Sequence, residues 1–407
     1  MTKMTPAQDH PTLPEGDQCI KCHMEQEIMP EDFSDFDTHL QKNLSCAGCH
    51  GGDASKEDMD EAMNPKKGFI GVPAKKDIPR LCGKCHSNID FMRSYQPRIS
   101  TDQVDQYYTS IHGERLKQGD KKVADCTSCH TGHSIVSAKD ARSSVYALNV
   151  PGTCKKCHSD AAYMKEYHIK TNQYEEYAKS VHGIALLQNL DTSVPACNDC
   201  HGNHGAIPPG VKSISHVCGL CHSNNMQYFS ASAMGQIFAE EGLHACEECH
   251  GHHLIKKTND DMIGIGENSV CLNCHSQDDE GAKVAEEIHA DLHTTVVTYD
   301  SAQKVQKRVQ QIGMDDVEIG YLLQDSHQSL IQARTLVHTF NPQEVDKKTG
   351  ESIKNSKAAL NLADQLIEEY NVRRKGFSIA TIFITILVIA LFFKIREIDR
   401  KEKIKQS

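Results

Sequence analysis

The residues that can do chemistry are cysteine and histidine, and their spacing is uniform. All 18 cysteines stand in pairs two residues apart, each followed at once by histidine. The nine motifs are Cys19, Cys22 and His23; Cys46, Cys49 and His50; Cys82, Cys85 and His86; Cys126, Cys129 and His130; Cys154, Cys157 and His158; Cys197, Cys200 and His201; Cys218, Cys221 and His222; Cys246, Cys249 and His250; and Cys271, Cys274 and His275. Two thiols on one turn of chain reach the two vinyl groups of one haem as thioethers, and the next imidazole lies beneath the ring to bind iron. The same pairs could hold zinc or form disulfides in an exported protein. Neither alternative requires a histidine after every second cysteine, whereas haem c does. Nine covalently attached haem c groups are therefore expected, with the nine motif histidines as proximal ligands.

The motifs fall into an internal repeat. Ser110-Ile-His112-Gly113 precedes CTSCHTGH and then CKKCHSDAAY, and Ser180-Val-His182-Gly183 precedes CNDCHGNH and then CGLCHSNNM. Ser232-Ala-Met234-Gly235 opens a further copy that runs through CEECHGHH to CLNCHS, and a divergent copy runs from His39 through CAGCHGGD to CGKCHSNID. Each copy carries two motifs, and Cys19 begins the unpaired ninth.

This pattern resembles the paired-motif multihaem c-type cytochromes, the cytochrome c3-like proteins with doubled motifs, over about residues 19–275. The resemblance implies bis-histidine haems packed closely in a chain, with second axial ligands drawn from histidines outside the attachment motifs. The 24 histidines less the nine proximal ones leave fifteen. The repeated positions single out His112 and His182 in the Ser-x-His-Gly elements and His133, His204 and His253 in the C-x-x-C-H-x-x-H elements. His39 is the counterpart in the divergent copy, while His168, His216, His244, His252, His289 and His293 compete for the remaining irons. Any one of these is also readable as a surface histidine.

Two positions depart from the repeat. Met234 stands where other copies have histidine, and Asp53 stands where others have the trailing histidine. A thioether ligand at Met234 would raise the potential of its haem, which this reading takes to be the haem of Cys246 and Cys249. In the bland reading Met234 packs as an apolar side chain and His244 binds that iron.

The elements that must position these residues are read from composition and periodicity. Only 38% of the residues are hydrophobic and there is no tryptophan, a lean core for this length. Buried haem would supply interior that side chains lack. The expected fold is mainly α with much irregular loop, a haem-packed cytochrome domain over residues 19–279 after an extension at 1–18. Beyond it, Ile319, Leu322, Leu323, Leu330, Ala333 and Val337 recur at helical spacing, as do Ala359, Leu362, Ala363, Leu366, Ile367 and Tyr370. These predict a small helical bundle over 280–376, with Asp315 and Asp316 as an N-terminal cap and Asn341-Pro342 as a stop. His289 and His293, four apart, share one helix face.

Residues 377–393, FSIATIFITILVIALFF, carry no charge and are long enough to span a bilayer at its short limit. A transmembrane helix is expected at 377–395, followed by a cytoplasmic tail at 396–407. Arg373, Arg374 and Lys375 precede it, while Lys394, Arg396, Arg400, Lys401, Lys403 and Lys405 follow. The larger basic excess after the helix favours a cytoplasmic C-terminus in a single-pass inner-membrane protein. Residues 1–18 hold no apolar signal segment, so the expectation is that the natural N-terminus lies upstream.

A net charge of -11 excludes nucleic acid as partner. The leading functional expectation is electron transfer between a membrane quinol-oxidising complex or other redox protein and soluble or extracellular cytochrome acceptors. The competing class is a multihaem oxidoreductase of small nitrogen or sulfur compounds, similar to the hydroxylamine oxidoreductase, nitrite reductase or tetrathionate reductase families. It would need an iron with an open distal position, for which Asp53 marks one place. Direct quinol oxidation, as in small anchored cytochromes, is a third class, but those anchor by an N-terminal helix. Oligomeric state is not legible.

Overall fold

A chain with so few apolar side chains cannot build one large core, and the computed structural model accordingly divides into two compact units. It describes residues 16–29, 36–207 and 214–406, with backbone alone at 214–216 and 403–406. The side chain of His216 thus lies outside the described residues, as do residues 1–15 of the N-terminal extension. The described residues contain helices, turns and loops but no strand.

The first unit comprises residues up to 218 and 246–257. Its helices are short, mostly four to nine residues, too short to persist without tertiary support. Local caps start them: Asp125 Oδ1 accepts from the N–H groups of Thr127 (2.8 Å) and Ser128 (3.2 Å), while Ser128 Oγ accepts from Asp125 N–H (3.1 Å). Ser45 caps Cys46–His50 through Ala47 N–H, and prolines occupy the first turns of Ile78–His86 and Val150–His158, where the missing donor costs nothing. The buried apolar residues form only small groups, Ile20 with Leu40, Tyr107 with Leu116 and Val123, and Val150 with Leu186 and Ala196.

The second unit comprises residues 219–245 and 258–407. Three long helices, α1 (Glu280–Gln311), α2 (Val317–Leu336) and α3 (Pro342–Gln406), pack on one another. Their core is small-residue and aliphatic: Ala302, Val309, Ile319, Leu323, Ala359 and Ala363 in one layer, and Ile288, Leu292, Leu330, Ala333 and Val345 in another. The residues expected to cap α2 divide the work differently. Asp315 accepts from Val317 N–H, whereas Asp316 accepts from the Gln306 and Gln310 side chains and ties the loop to α1. Asn341 caps α3 through Gln343 N–H, with Pro342 as its first residue. α3 runs without interruption from the bundle through the apolar stretch, 65 residues in all. It is long and apolar enough to cross a membrane, and its apolar window is wholly exposed.

Candidate haem sites

Seven of the nine attachment motifs lie wholly on α-helix, which puts the two thiols and the histidine on one side of a turn, while those of Cys218 and Cys271 begin on helical backbone and run on into a turn. Cys46–His50, Cys126–His130, Cys197–His201 and Cys246–His250 are one-turn helices made of nothing else. Ile78–His86 and Val150–His158 carry their motifs at the C-terminal end, Gln18–Glu25 spans Cys19 to His23, and Cys271–Asn273 is a 3-10 turn.

No disulfide joins these cysteines among the described residues. The first cysteine of every pair is half-buried. The second varies with its turn: Cys22, Cys85, Cys129, Cys157 and Cys249 are half-buried too, whereas Cys49, Cys200, Cys221 and Cys274 are exposed. A haem joined by two thioethers needs its inner edge against the chain and its outer edge within reach of the second sulfur, and either degree of exposure meets that need.

Five proximal histidines of the first unit each face a second imidazole. The ring centres are 6.0 Å apart for His50 with His133, His130 with His204 and His201 with His253, and 6.1 Å apart for His39 with His86 and His112 with His158. Two imidazoles trans on one iron need about 2 Å for each metal–nitrogen bond and about 1.2 Å from each nitrogen to its ring centre, roughly 6 Å in all. The pairing sites therefore fit a metal held between the rings. Both oriented proximal rings support this: His50 Nδ1–H donates to Gly71 carbonyl (2.8 Å) and His201 Nδ1–H to Ile207 carbonyl (3.2 Å). Such a second partner fixes the tautomer and leaves Nε2 for a metal. In the second unit His275 Nδ1 meets Asp279 Oδ2 at 3.1 Å in the same manner.

Electrostatics favour the neutral, ligating form. Burial pushes His86, His112, His130, His133, His158 and His204 below the ordinary imidazole value. His253 is brought down to about 4, by burial first and then by His252 and His201. Glu176, His252 and His253 also present ligand atoms within 4.8 Å of one another, but His252 is exposed and edge-on to His253.

The pairings follow a register that the repeat pattern alone does not disclose. The trailing histidine of one copy meets the first proximal histidine of the copy before it: His133 with His50, His204 with His130, His253 with His201. The leading histidine meets the second proximal histidine of its own copy, as His39 with His86 and His112 with His158. Backbone straps hold this register. Thr38 N–H donates to Ile135 carbonyl (2.7 Å), Ile111 N–H to Ala206 carbonyl (3.3 Å) and Val181 N–H to Ile255 carbonyl (2.9 Å). In each case the acceptor lies two residues beyond a trailing histidine.

The Ser-x-His-Gly element is a cap geometry repeated three times. Ser110 Oγ donates to Tyr107 carbonyl (2.6 Å) and accepts from Gly113 N–H (3.0 Å). Ser180 does the same with Tyr177 and Gly183, and Ser232 with Phe229 and Gly235. A Cβ at any of the three glycines would collide with the aromatic residue's carbonyl. The tyrosines are anchored as well, Tyr107 Oη donating to Ala124 carbonyl and Tyr177 Oη to Pro195 carbonyl, both at 2.8 Å.

The attachment sites also approach one another in sequence order. The thiols of Cys82 and Cys126, of Cys154 and Cys197, and of Cys218 and Cys246 lie close enough to shift one another's ionisation. Cys19 neighbours Cys46, Cys49 neighbours Cys82 and Cys85, and Cys129 neighbours Cys154 and Cys157.

Other expected residues fare differently. Asp53 accepts from Lys67 Nζ (2.8 Å) and Ser55, a turn rather than a ligand position. His168 is exposed with a left-handed backbone (φ +54°) and meets no other imidazole among the described residues. His182 sits on its helix at the position of His112, and His244 is half-buried just ahead of Cys246. His289 faces Asp261 at 3.8 Å, and His293 is exposed one turn further on. Met234 is half-buried on a helix capped like those of His112 and His182.

A model of the cytochrome c3 family matches residues 38–159. The C-type polyheme cytochrome OmcC of Geobacter sulfurreducens (strain ATCC 51573 / DSM 12127 / PCA) is 19% identical over 302 residues, covering 59% of this chain and 37% of that protein. The chain thus spans well under half the length of this relative. No solved structure matches. With the repeated attachment turns, these findings make the chain similar to multihaem c-type cytochromes, a likeness that supports covalently bound haem c. More particularly, residues 38–159 are a cytochrome c3-type domain in a mainly helical chain whose C-terminal apolar helix fits a membrane.

Proposed function

We propose that the chain binds nine haem c groups and carries electrons between a quinone-linked membrane partner and periplasmic or extracellular acceptors. The observation that supports it best is the set of five imidazole pairs at 6.0–6.1 Å. A haem whose two axial positions are filled by protein exchanges electrons but offers no coordination site to substrate.

In this reading each cysteine pair, from Cys19 with Cys22 to Cys271 with Cys274, holds one haem by thioethers, and the following histidine is its proximal ligand. His39, His112, His133, His204 and His253 are the distal ligands to the haems of His86, His158, His50, His130 and His201. Burial holds His112, His133, His204 and His253 below the ordinary imidazole value. The backbone straps from Thr38, Ile111 and Val181 hold the distal rings in register between copies. The nearness of successive attachment sites from Cys19 to Cys197, and of Cys218 to Cys246, supports a path that follows sequence order over those stretches.

α3 is proposed to cross the inner membrane once at residues 377–393, with the haem-bearing units on the periplasmic side and the basic end from Lys394 in the cytoplasm. Intact-mass measurement of the purified protein, with low-temperature EPR of its oxidised form, tests the reading. Nine haem masses with low-spin iron throughout are expected. A smaller number refutes the count. A high-spin signal shifted by nitrite, hydroxylamine or sulfite would favour the oxidoreductase class instead.

A further inference from the structure

We infer that His338, in the helical tail outside every attachment repeat, is an axial haem ligand that takes the part of a trailing histidine. This rests on the multihaem reading above and goes beyond it, since no attachment or Ser-x-His-Gly motif lies near this residue in sequence.

The inference comes from the third capped helix. Ala233–Glu241 repeats the geometry of Ile111–Lys117 and Val181–Leu187, down to the Ser232 cap and the close approach of Gly235 to Phe229. The earlier helices are strapped to segments just past His204 and His253. No further C-x-x-C-H-x-x-H copy follows to supply such a segment here. Its aromatic residue has also changed: Phe229 has no hydroxyl for the anchor made by Tyr107 and Tyr177. Phe229 packs instead edge-on against Phe340, with ring centres 6.2 Å apart. The helix Ser223–Ala231 packs on the 3-10 turn Val337–Thr339. Phe340 lies two residues after His338, as Ala206 and Ile255 lie two after His204 and His253.

The ring itself is prepared as a ligand. His338 is half-buried, and its Nδ1–H donates to Thr335 carbonyl at 3.0 Å, which makes Nε2 the acceptor nitrogen. This is the orientation that metal-binding imidazoles receive from a backbone partner. Asn225 Nδ2 lies 3.4–3.5 Å from the ring nitrogens. The turn that carries the ring is held by Thr339 Oγ1 donating to Leu336 carbonyl and by the left-handed Phe340 (φ +52°).

The test uses the full-length holoprotein and its His338→Ala variant, with His327→Ala as control; His327 stacks on Tyr299 in the bundle. Intact mass counts haem independently of ligation, because thioether attachment does not require the sixth ligand. Wild-type haem content with one new high-spin iron per molecule, returned to low spin by added imidazole, is expected in His338→Ala but not in His327→Ala. His338→Met should instead give one sulfur-ligated low-spin iron with its near-infrared charge-transfer band. Full haem content with unchanged low-spin spectra in both His338 variants overturns the inference and leaves the multihaem reading intact. Fewer than nine haems in the parent protein would count against that reading instead.

Discussion

At the residue scale, Gly183 shows how the leading histidines are placed. In an ordinary helix interior, Gly→Ala stabilises by about 1 kcal/mol. Here the added Cβ would strike the Tyr177 carbonyl, and overpacking of this kind costs about 1–3 kcal/mol. Gly183→Ala is therefore expected to lower the thermal midpoint of the holoprotein with haem content unchanged, and a raised midpoint would refute the crowding. Met234 is the other informative residue, because its helix keeps the serine cap and glycine approach while the ligand type changes. If its sulfur binds iron, Met234→His should abolish the near-infrared sulfur–iron band and lower one midpoint potential, since thioether ligation raises potential relative to imidazole. Unaltered spectra and potentials in Met234→His would return Met234 to ordinary packing.

At the element scale, two kinds of helix use their side chains differently. The attachment helices are at most nine residues long and depend on caps, straps and the expected haem contacts. The bundle helices bury a polar centre: Ser326 Oγ lies 2.8 Å from Ser352 Oγ and 2.7 Å from Ser356 Oγ, all fully buried. Small side chains let α2 and α3 approach closely, and the hydroxyls satisfy one another only while their register is kept. Ser326→Ala removes the shared partner and leaves two buried hydroxyls to find others, at about 1–3 kcal/mol. Ser326→Val adds bulk as well and should cost more. Thermal unfolding of the two variants in detergent, followed by helical circular dichroism, checks the order, and equal midpoints for both and the parent would show that the serine layer contributes nothing to stability.

At the scale of the whole molecule, what was legible in the sequence followed from chemistry that tolerates few substitutions. Haem attachment requires Cys-x-x-Cys-His, so candidate residues could be named one by one, and the uncharged run at 377–393 stood out because bilayers demand such a stretch. How far each second thiol lies open, as between Cys200 and Cys249, depends on packing around the turn and left no mark in the motif. The partners His50 with His133, or His130 with His204, lie tens of residues apart, and their register depends on backbone straps such as Ile111 to Ala206 that leave no residue-type signal. His338 is hidden for the same reason: a lone histidine in an amphipathic helical region carries no spacing to mark it. The unbroken course of α3 likewise could not be read from a change in composition at Phe377. That apolar segment supports a final quantitative expectation. It holds twelve Phe, Ile, Leu and Val residues, each contributing roughly 0.3–0.6 kcal/mol towards insertion, whereas a central aspartate costs roughly 3 kcal/mol. One charge therefore leaves insertion favourable, while two exceed or cancel it. Ile386→Asp should stay in the carbonate-resistant membrane fraction, and Ile382→Asp combined with Ile386→Asp should release the cytochrome in soluble form with its haem spectrum unchanged. Retention of the double variant would mean that something other than this segment holds the protein at the membrane, and release of the single variant would mean that the segment lies at the surface without crossing.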